Sequence, residues 1–220
     1  MNMAIRLNDI APNFTANSTA GEVTLHDWMA DSYVILFSHP KDFTPVCTTE
    51  FGAVAQLAPE FSKRHTKVMG VSVDKVEEHE KWKRDIEAFA GAPADFPIID
   101  DTSLHVSKLY DMLPADAYLK DNRTPADSAT VRTVFIIGPD KKVRLTMSYP
   151  MSVGRNFAEI LRALDAIQIT DGAPIATPAN WVPGQDVIVA LSVSDEKARE
   201  KFGEVNIKLP YLRLVKAPDK

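Results

Sequence analysis

The sequence predicts an α/β fold, and three observations carry that prediction. Short apolar runs rich in β-branched residues recur at 34–37, 67–73 and 131–137. Stretches with helical spacing lie between them, at 51–61 and 76–89. The chain has 220 residues, 45% of them hydrophobic, which is enough to bury a substantial core in one domain with a smaller appendage. Strand alternating with helix argues for a layered sheet rather than a bundle or a sandwich.

Taken in order, Ala11-Pro12-Asn13-Phe14 opens the domain, and 19–22 has turn composition between short extended pieces, one of them 23–25. Residues 26–29 read as a short helical turn with Trp28 directed inward. The run 34–37 is a buried strand, followed by a loop and a helix carrying Phe51, Val54, Leu57, Ala58 and Phe61 at helical spacing. Pro59 lies inside that helix and is expected to bend or divide it, because it lacks an amide donor and crowds the preceding turn. The strand 67–73 exits at Asp74. A charge-rich, half-exposed helix over 76–89 presents Trp82, Ile86 and Phe89, and a short strand at 98–99 ends in Asp100-Asp101. Thr102 or Ser103 is expected to cap a helix carrying Val106, Leu109 and Tyr110.

Residues 114–129 are polar and turn-rich, as in a surface loop. The clearest strand is 131–137, and 138–142 turns it back into 143–147 as a hairpin. Residues 154–169 make the best amphipathic helix, with Phe157, Ile160, Leu161, Leu164 and Ile167 on one face. Beyond a boundary near residue 170, Pro174, Pro178 and Pro183 punctuate a connector holding Trp181, which reads as a packing residue at the domain join. Strands at 187–191 and 211–215 and a charged helix at 195–202 follow. This tail is too short for a generous core of its own.

Bulk properties exclude several classes. A formal charge of −5 argues against a general nucleic-acid binder or a partner of anionic membranes. No apolar run approaches the roughly 18 residues of a membrane span, and no secretory signal is expected at the N-terminus. The five histidines show no close ligand spacing and one cysteine builds no thiolate cluster, so no metal is expected. No phosphate loop or dinucleotide fingerprint calls for an organic cofactor. With one cysteine no intrachain disulfide forms, which fits a reducing compartment, the cytoplasm by default.

That cysteine, Cys47, falls in the first turn of the helix after 34–37. Unpaired amides and the positive dipole end there favour an anion, and a thiolate is the nucleophilic form of the side chain. The alternative is a small buried hydrophobe, the common fate of a free cysteine. Pro40 and Pro45 stiffen the loop before it, and Thr44 and Thr48 offer hydroxyls near the sulfur. Arg132 begins the strongest buried strand, where a charge needs a partner, and Arg155 stands at the start of the last large helix. Context alone favours half of a structural ion pair for each.

Pro40, Thr44 and Cys47 form a P-x-x-x-T-x-x-C signature, and the run from His39 to Glu50 reads HPKDFTPVCTTE. This resembles the peroxiredoxins, and specifically their 1-Cys, Prx6-type subgroup; the resemblance covers essentially the whole chain. It implies a thioredoxin-like fold, a central mixed sheet flanked by helices, over residues 1–170, and a small C-terminal α+β domain over 171–220 that packs across a homodimer, with higher oligomers open. It implies reduction of hydrogen peroxide and alkyl hydroperoxides through a sulfenic acid at Cys47. Thr44, Pro40 and Arg132 are then catalytic, with His39, Glu50 and Arg155 in support. No resolving cysteine is present, so an external thiol, glutathione or a small redox protein, must reduce the sulfenic acid.

Two other readings remain at this level. A chaperone-like or redox-signalling module would be oxidised once and pass that state to a partner. Some members of the subgroup are also credited with phospholipase A2 activity, and Ser32, His26 and Asp140 stand at the matching positions. Ala30 and Val34 replace the glycines of the G-x-S-x-G motif, however, and a nucleophile elbow needs those glycines for its tight turn. Ser32 is therefore expected to be a turn residue.

Overall fold

The computed structural model describes residues 5–117 and 125–218. The chain forms two compact units, Met1–Phe157 and Ala158–Lys220. The first holds seven strands: β1 (Thr15–Ser18), β2 (Gly21–Thr24), β3 (Tyr33–Ser38), β4 (Thr66–Ser72), β5 (Ile98–Asp100), β6 (Arg132–Ile137) and β7 (Val143–Tyr149). They form one sheet in the order β2-β1-β5-β4-β3-β6-β7. The pairs β3–β4 and β4–β5 are parallel and the others antiparallel, so the sheet is mixed, the thioredoxin-like arrangement that the resemblance implies. Val34 to Ser38 are all buried, as are all residues of β6. Strands covered on both faces read as unbroken apolar runs, which is why these two were the plainest in the sequence.

The pairing of β3 with β6 sets the stage for chemistry. Its register runs from Val34↔Ile137 to Phe37↔Val134, so the exit of β3 lies beside the entry of β6. The Ser38 hydroxyl donates to the Val131 carbonyl at 2.6 Å and accepts from the Thr133 amide at 3.0 Å. The Thr130 hydroxyl donates to the His39 carbonyl at 2.8 Å. His39 and Arg132, distant in sequence, are thereby fixed at one end of these two neighbouring inner strands.

Four helices complete this unit: α1 (Leu25–Met29), α2 (Pro45–Lys63), α3 (Val76–Ala90) and α4 (His105–Leu109). Pro59 does not divide α2, which runs through it as one element. The Phe51 ring packs into the space left by Gly70 of β4, where an added Cβ would sit 2.9 Å from Phe51 Cζ. That contact seats the first half of α2 on the sheet. On α3, His79, Trp82 and Ile86 are the buried face, whereas Phe89 is exposed, contrary to its expected place on that face. Neither Thr102 nor Ser103 caps the backbone of α4 as predicted. The Asp101 carboxylate accepts from the amides of Val106 (2.9 Å) and Ser107 (2.7 Å), and Ser103 Oγ meets only the His105 amide. A carboxylate offers two acceptor oxygens to two orphan amides, which a hydroxyl cannot match. Of the predicted surface loop at 114–129, residues 118–124 lie outside the described residues, and Pro125–Ser128 form a 3-10 turn.

The second unit contains α5 (Phe157–Asp171), which begins at the last residue of the first unit, β8 (Ile175–Ala176), β9 (Val187–Val189), α6 (Asp195–Phe202), β10 (Asn206–Leu209) and β11 (Leu212–Val215). Its four strands form an antiparallel sheet in the order β10-β11-β9-β8. The sequence boundary near residue 170 falls at the end of α5. Trp181, Val187, Val189, Ala198 and Val215 centre a small core with Ile169 and Ile175. Ser194 caps α6, its hydroxyl accepting from the Lys197 amide. Leu191, Ile207, Leu209 and Tyr211 are exposed. Among the described residues no helix is long and apolar enough to cross a membrane.

Candidate active site

The N-terminal turn of α2 is built from Thr44 as N-cap, in extended conformation, and Pro45 at the first helical position. Proline there costs the helix nothing, since the amide it lacks would have been an orphan. Phe43, just before the cap, takes a positive φ of 54° and leaves its ring exposed. Cys47 follows within the first turn and is fully buried. The Thr44 hydroxyl donates to the Lys41 carbonyl at 2.9 Å, which fixes its hydrogen and leaves its oxygen lone pairs as acceptors. Thr48 Oγ1 donates to the Thr44 carbonyl (2.8 Å) and accepts from the Trp82 indole N–H (3.1 Å). Pro40 is buried in the loop that leads into this turn.

Arg132, the first residue of β6, reaches the sulfur: Nη1 donates to Cys47 Sγ at 3.2 Å. The same nitrogen donates to Glu50 Oε2 at 2.7 Å, and Arg132 Nε donates to the Met151 carbonyl at 2.8 Å. Glu50 lies one helical turn beyond Cys47 and is also engaged by Arg155. The Arg155 amide and Nε both donate to Oε1 at 2.8 Å, and Nη2 donates to Oε2 at 2.7 Å. Arg155 Nη1 donates to the Ser38 and Thr133 carbonyls, tying the cluster to β3 and β6. Arg155 precedes α5, two residues before its first residue, rather than opening it. Burial alone would raise the Glu50 carboxyl, but the Arg155 and Arg132 guanidiniums outweigh it and hold Glu50 below the ordinary carboxylate range. Both ion-pair readings of the arginines are thus realised, and one of the pairs carries the sulfur.

On the other side of the turn, His39 is fully buried, edge-on to the Phe51 ring (4.5 Å between centroids) and stacked on Trp82 (5.0 Å). Its Nε2 lies 2.7 Å from Asp42 Oδ1, and Asp42 Oδ2 lies 2.6 Å from His79 Nδ1. These three side chains are the group among the described residues whose ligand atoms converge, all within 4.8 Å. Each carboxylate oxygen already closes a short hydrogen bond to an imidazole, so the contacts are those of shared protons. Sequence reasoning passed over Asp42 and His79 as site residues and read Trp82 only as an apolar position of its helix. The signal for His79 was present: it shares the apolar face of α3 with Trp82 and Ile86, where an unpaired polar residue would be out of place.

Ser32, His26 and Asp140 are not brought together as a triad. His26 Nε2 meets the Ala11 carbonyl at 2.8 Å, Ser32 Oγ is 3.5 Å from His65 Nε2, and Asp140 pairs with Arg144 at 3.0 Å. Ala30 nevertheless takes φ 49° and ψ −117°, a conformation that glycine adopts freely and alanine does not.

Comparison with known proteins adds the following. The model of the AhpC/TSA family matches residues 7–146, and that of the C-terminal domain of 1-Cys peroxiredoxin matches residues 166–204. A mitochondrial peroxiredoxin of Saccharomyces cerevisiae is 50% identical over 97% of this chain and 81% of its own. Peroxiredoxin-6 of Mus musculus is 48% identical over 96% of this chain and 97% of its own. Among solved structures, a cysteine-to-serine variant of peroxiredoxin 6 from Arenicola marina superposes with a TM-score of 0.91 at 41% identity, covering 99% of this chain and 100% of that one. The yeast mitochondrial 1-Cys protein gives 0.87 at 50% identity, covering 96% and 99%.

Proposed function

Since the chain belongs to the peroxiredoxin family, in its 1-Cys (Prx6-type) subgroup, and is a thiol-dependent peroxidase with a single cysteine to work through, we propose how its residues divide the task. Cys47 is the peroxidatic residue. Its sulfur attacks the terminal oxygen of a hydroperoxide; the S–O bond forms as the O–O bond breaks, and the departing alkoxide or hydroxide takes a proton to leave as alcohol or water. Arg132 carries the electrostatic part, and its hydrogen bond to the sulfur is the observation on which this reading rests. A fixed guanidinium beside the reacting atoms favours negative charge on sulfur and then on oxygen, without reorganising as the charge moves. Thr44, with its hydrogen committed to Lys41, caps the turn that carries the sulfur and orients the peroxide there. Pro40 walls the turn against water. Glu50 and Arg155 hold Arg132 in place.

The sulfenic acid then meets an external thiol, forming a mixed disulfide and water, and a second thiol releases Cys47 with a new disulfide between the two reductant molecules. The yeast relative has its thiol resolved through glutathione and thioredoxin systems; glutathione or a small redox protein is the reductant proposed here, with hydrogen peroxide and alkyl hydroperoxides as substrates. The peroxidase domain is proposed as residues 1–170 and the C-terminal domain as 171–220. Exposed Leu191, Ile207, Leu209 and Tyr211 on the small second unit support burial against another copy in a homodimer. The lone cysteine supports a reducing compartment, with the cytoplasm proposed.

Stopped-flow oxidation of the reduced protein by hydrogen peroxide tests the assignment. Rapid loss of one thiol is expected, abolished in Cys47→Ser and slowed by about 100-fold or more in Arg132→Ala, in line with removal of one oxyanion-type donor. Without added thiol, excess peroxide should carry Cys47 on to the sulfinic acid, seen by mass as two added oxygens. Wild-type oxidation no faster than that of a free thiol would sink the assignment.

A further inference from the structure

The buried group around Asp42 has a proton arrangement that its partners dictate. His79 Nε2 is 3.2 Å from the Ile99 carbonyl oxygen, which can only accept, so that nitrogen carries a hydrogen. The remaining hydrogen of the 2.6 Å contact between His79 Nδ1 and Asp42 Oδ2 sits on one atom or the other. Burial pushes His79 down, but the hydrogen bond and charge of Asp42 push it up further, to a net raised pKa. Burial pushes Asp42 up, and its bonds to His39 and His79 bring it down further, to a net lowered one. The hydrogen of that contact is thus drawn toward His79, and Asp42 is a carboxylate. Asp74 faces the same group, accepting from the Asp42 amide (2.9 Å) and from Ser72 Oγ (3.0 Å), and adds negative potential that favours the cation.

An ionised Asp42 can only accept, so His39 donates to it from Nε2. Burial is the chief influence on His39 and holds it below the ordinary histidine value, which keeps the ring neutral. A neutral ring that donates from Nε2 has a bare lone pair on Nδ1. That nitrogen is buried and without a hydrogen-bond partner. The ring lies against Phe51 of α2 and stacks on Trp82, whose N–H is bonded to Thr48. Cys47 and Phe51 are one helical turn apart on one face of α2, so the His39 ring packs on the helix turn next to the one that holds the thiol. A buried acceptor with no donor is unfavourable until a reactant supplies one. A hydroperoxide brings an O–H.

We infer that Asp42 and His79 are positioning residues for peroxide reduction: together they fix His39 as its Nε2–H tautomer, so that Nδ1 accepts the hydroperoxide O–H while Cys47 attacks that oxygen. The inference rests on Cys47 being the peroxidatic residue. In the step itself the S–O bond forms, the O–O bond breaks, and the electron pair of that bond leaves with the alkoxide, which takes its proton from solvent. The hydrogen held by His39 stays on the oxygen now bonded to sulfur.

The test begins with the reduced wild-type protein labelled with 15N at histidine, in which long-range 1H–15N correlations report each ring's tautomer. His39 is expected as the neutral Nε2–H form and His79 with both nitrogens protonated. Asp42→Asn and His79→Asn should each let Nδ1 of His39 become protonated, by tautomer change in the first and by loss of the balancing cation in the second. Oxidation by peroxide should then fall by about tenfold or more, as for a lost hydrogen bond to a reacting group. Alkylation by iodoacetamide, which brings no O–H to the site, should stay within about twofold. An Nδ1–H tautomer or an imidazolium at His39 in the wild type would overturn the inference. So would variants whose two rates fall together, which marks a merely structural role, or whose rates do not fall at all. If wild-type Cys47 is itself slow with peroxide, the parent assignment has failed instead, and the wild-type spectrum still decides the proton placement.

Discussion

Replacing Glu50 by glutamine would take one negative charge from between two buried guanidiniums while leaving the side chain's shape nearly unchanged. In the native cluster Oε1 accepts from the amide and Nε of Arg155, and Oε2 from Nη2 of Arg155 and Nη1 of Arg132, at 2.7–2.8 Å throughout. Glutamine must turn its NH2 toward one of these donor pairs, so two acceptor contacts become donor-against-donor contacts. Arg132 and Arg155 are only 3% and 7% exposed, so water does not take over the missing acceptor. Removing one partner of a buried ion pair costs roughly 3–5 kcal/mol, against a total stability on the order of 5–15 kcal/mol for a domain.

Glu50→Gln is therefore expected to lose about 3–5 kcal/mol in urea unfolding at neutral pH. It should also slow oxidation of Cys47, because Arg132 Nη1 is shared between Glu50 and the sulfur. The sign of the pH dependence is fixed by the lowered carboxyl. Stability contributed by Glu50 is present in full above the ordinary glutamate value of 4.5 and is lost as pH falls through the lower value in the folded protein. The difference between wild type and variant should accordingly shrink on acidification below that point. A loss under about 1 kcal/mol, the worth of an exposed pair, or a difference unchanged down to full protonation, would refute the reasoning.

Three further outcomes are expected. Gly70→Ala places a methyl 2.9 Å from Phe51 Cζ and should cost about 1–3 kcal/mol by overpacking, read as a lower urea midpoint with unchanged slope. Ala30→Gly relieves a backbone conformation with φ 49° and should raise stability by about 1 kcal/mol, read as a higher Tm. Trp82 stacks on His39 and donates to Thr48, so Trp82→Phe should abolish most of the fluorescence change on oxidation, whereas Trp181→Phe, in the core of the second unit, should leave it intact.

What the sequence disclosed follows the range of the forces involved. β3 and β6 were legible because each is buried along its length, and burial writes itself as a continuous apolar run. β10 was not, because all four of its residues are exposed and only its pairing with β11 makes it a strand. The cap of α4 was missed for a related reason. Hydroxyls stand next to the helix, while a carboxylate on the preceding turn, Asp101, satisfies both amides. Cys47, Thr44 and Pro40 share one short signature and were found together. Arg132 and Arg155 stood out as charges beside buried segments, but nothing local shows that Glu50 joins them. Their meeting depends on β3 and β6 pairing in one register, as the Ser38 and Thr133 carbonyls that hold Arg155 show.

The same reasoning explains why His79 and Asp42 escaped notice and why they matter. Their contact spans 37 residues, so no spacing rule links them. Yet a histidine on the apolar face of α3 must find a partner or pay heavily for its burial. The partner it finds lies in the loop before the reactive turn, between Pro40 and Thr44 of the P-x-x-x-T-x-x-C signature. Each of two networks near Cys47 is thus a buried anion held by N–H donors: Glu50 between Arg132 and Arg155, and Asp42 between His79 and the neutral His39. The first arrangement turns a permanent donor toward the sulfur. The second leaves a bare lone pair on a ring packed against the same helix. A hydroperoxide needs both, a donor for the charge that develops as the O–O bond breaks and an acceptor for the hydrogen on the oxygen under attack. A neutral histidine ring can supply either role, and its buried partners decide which nitrogen does which.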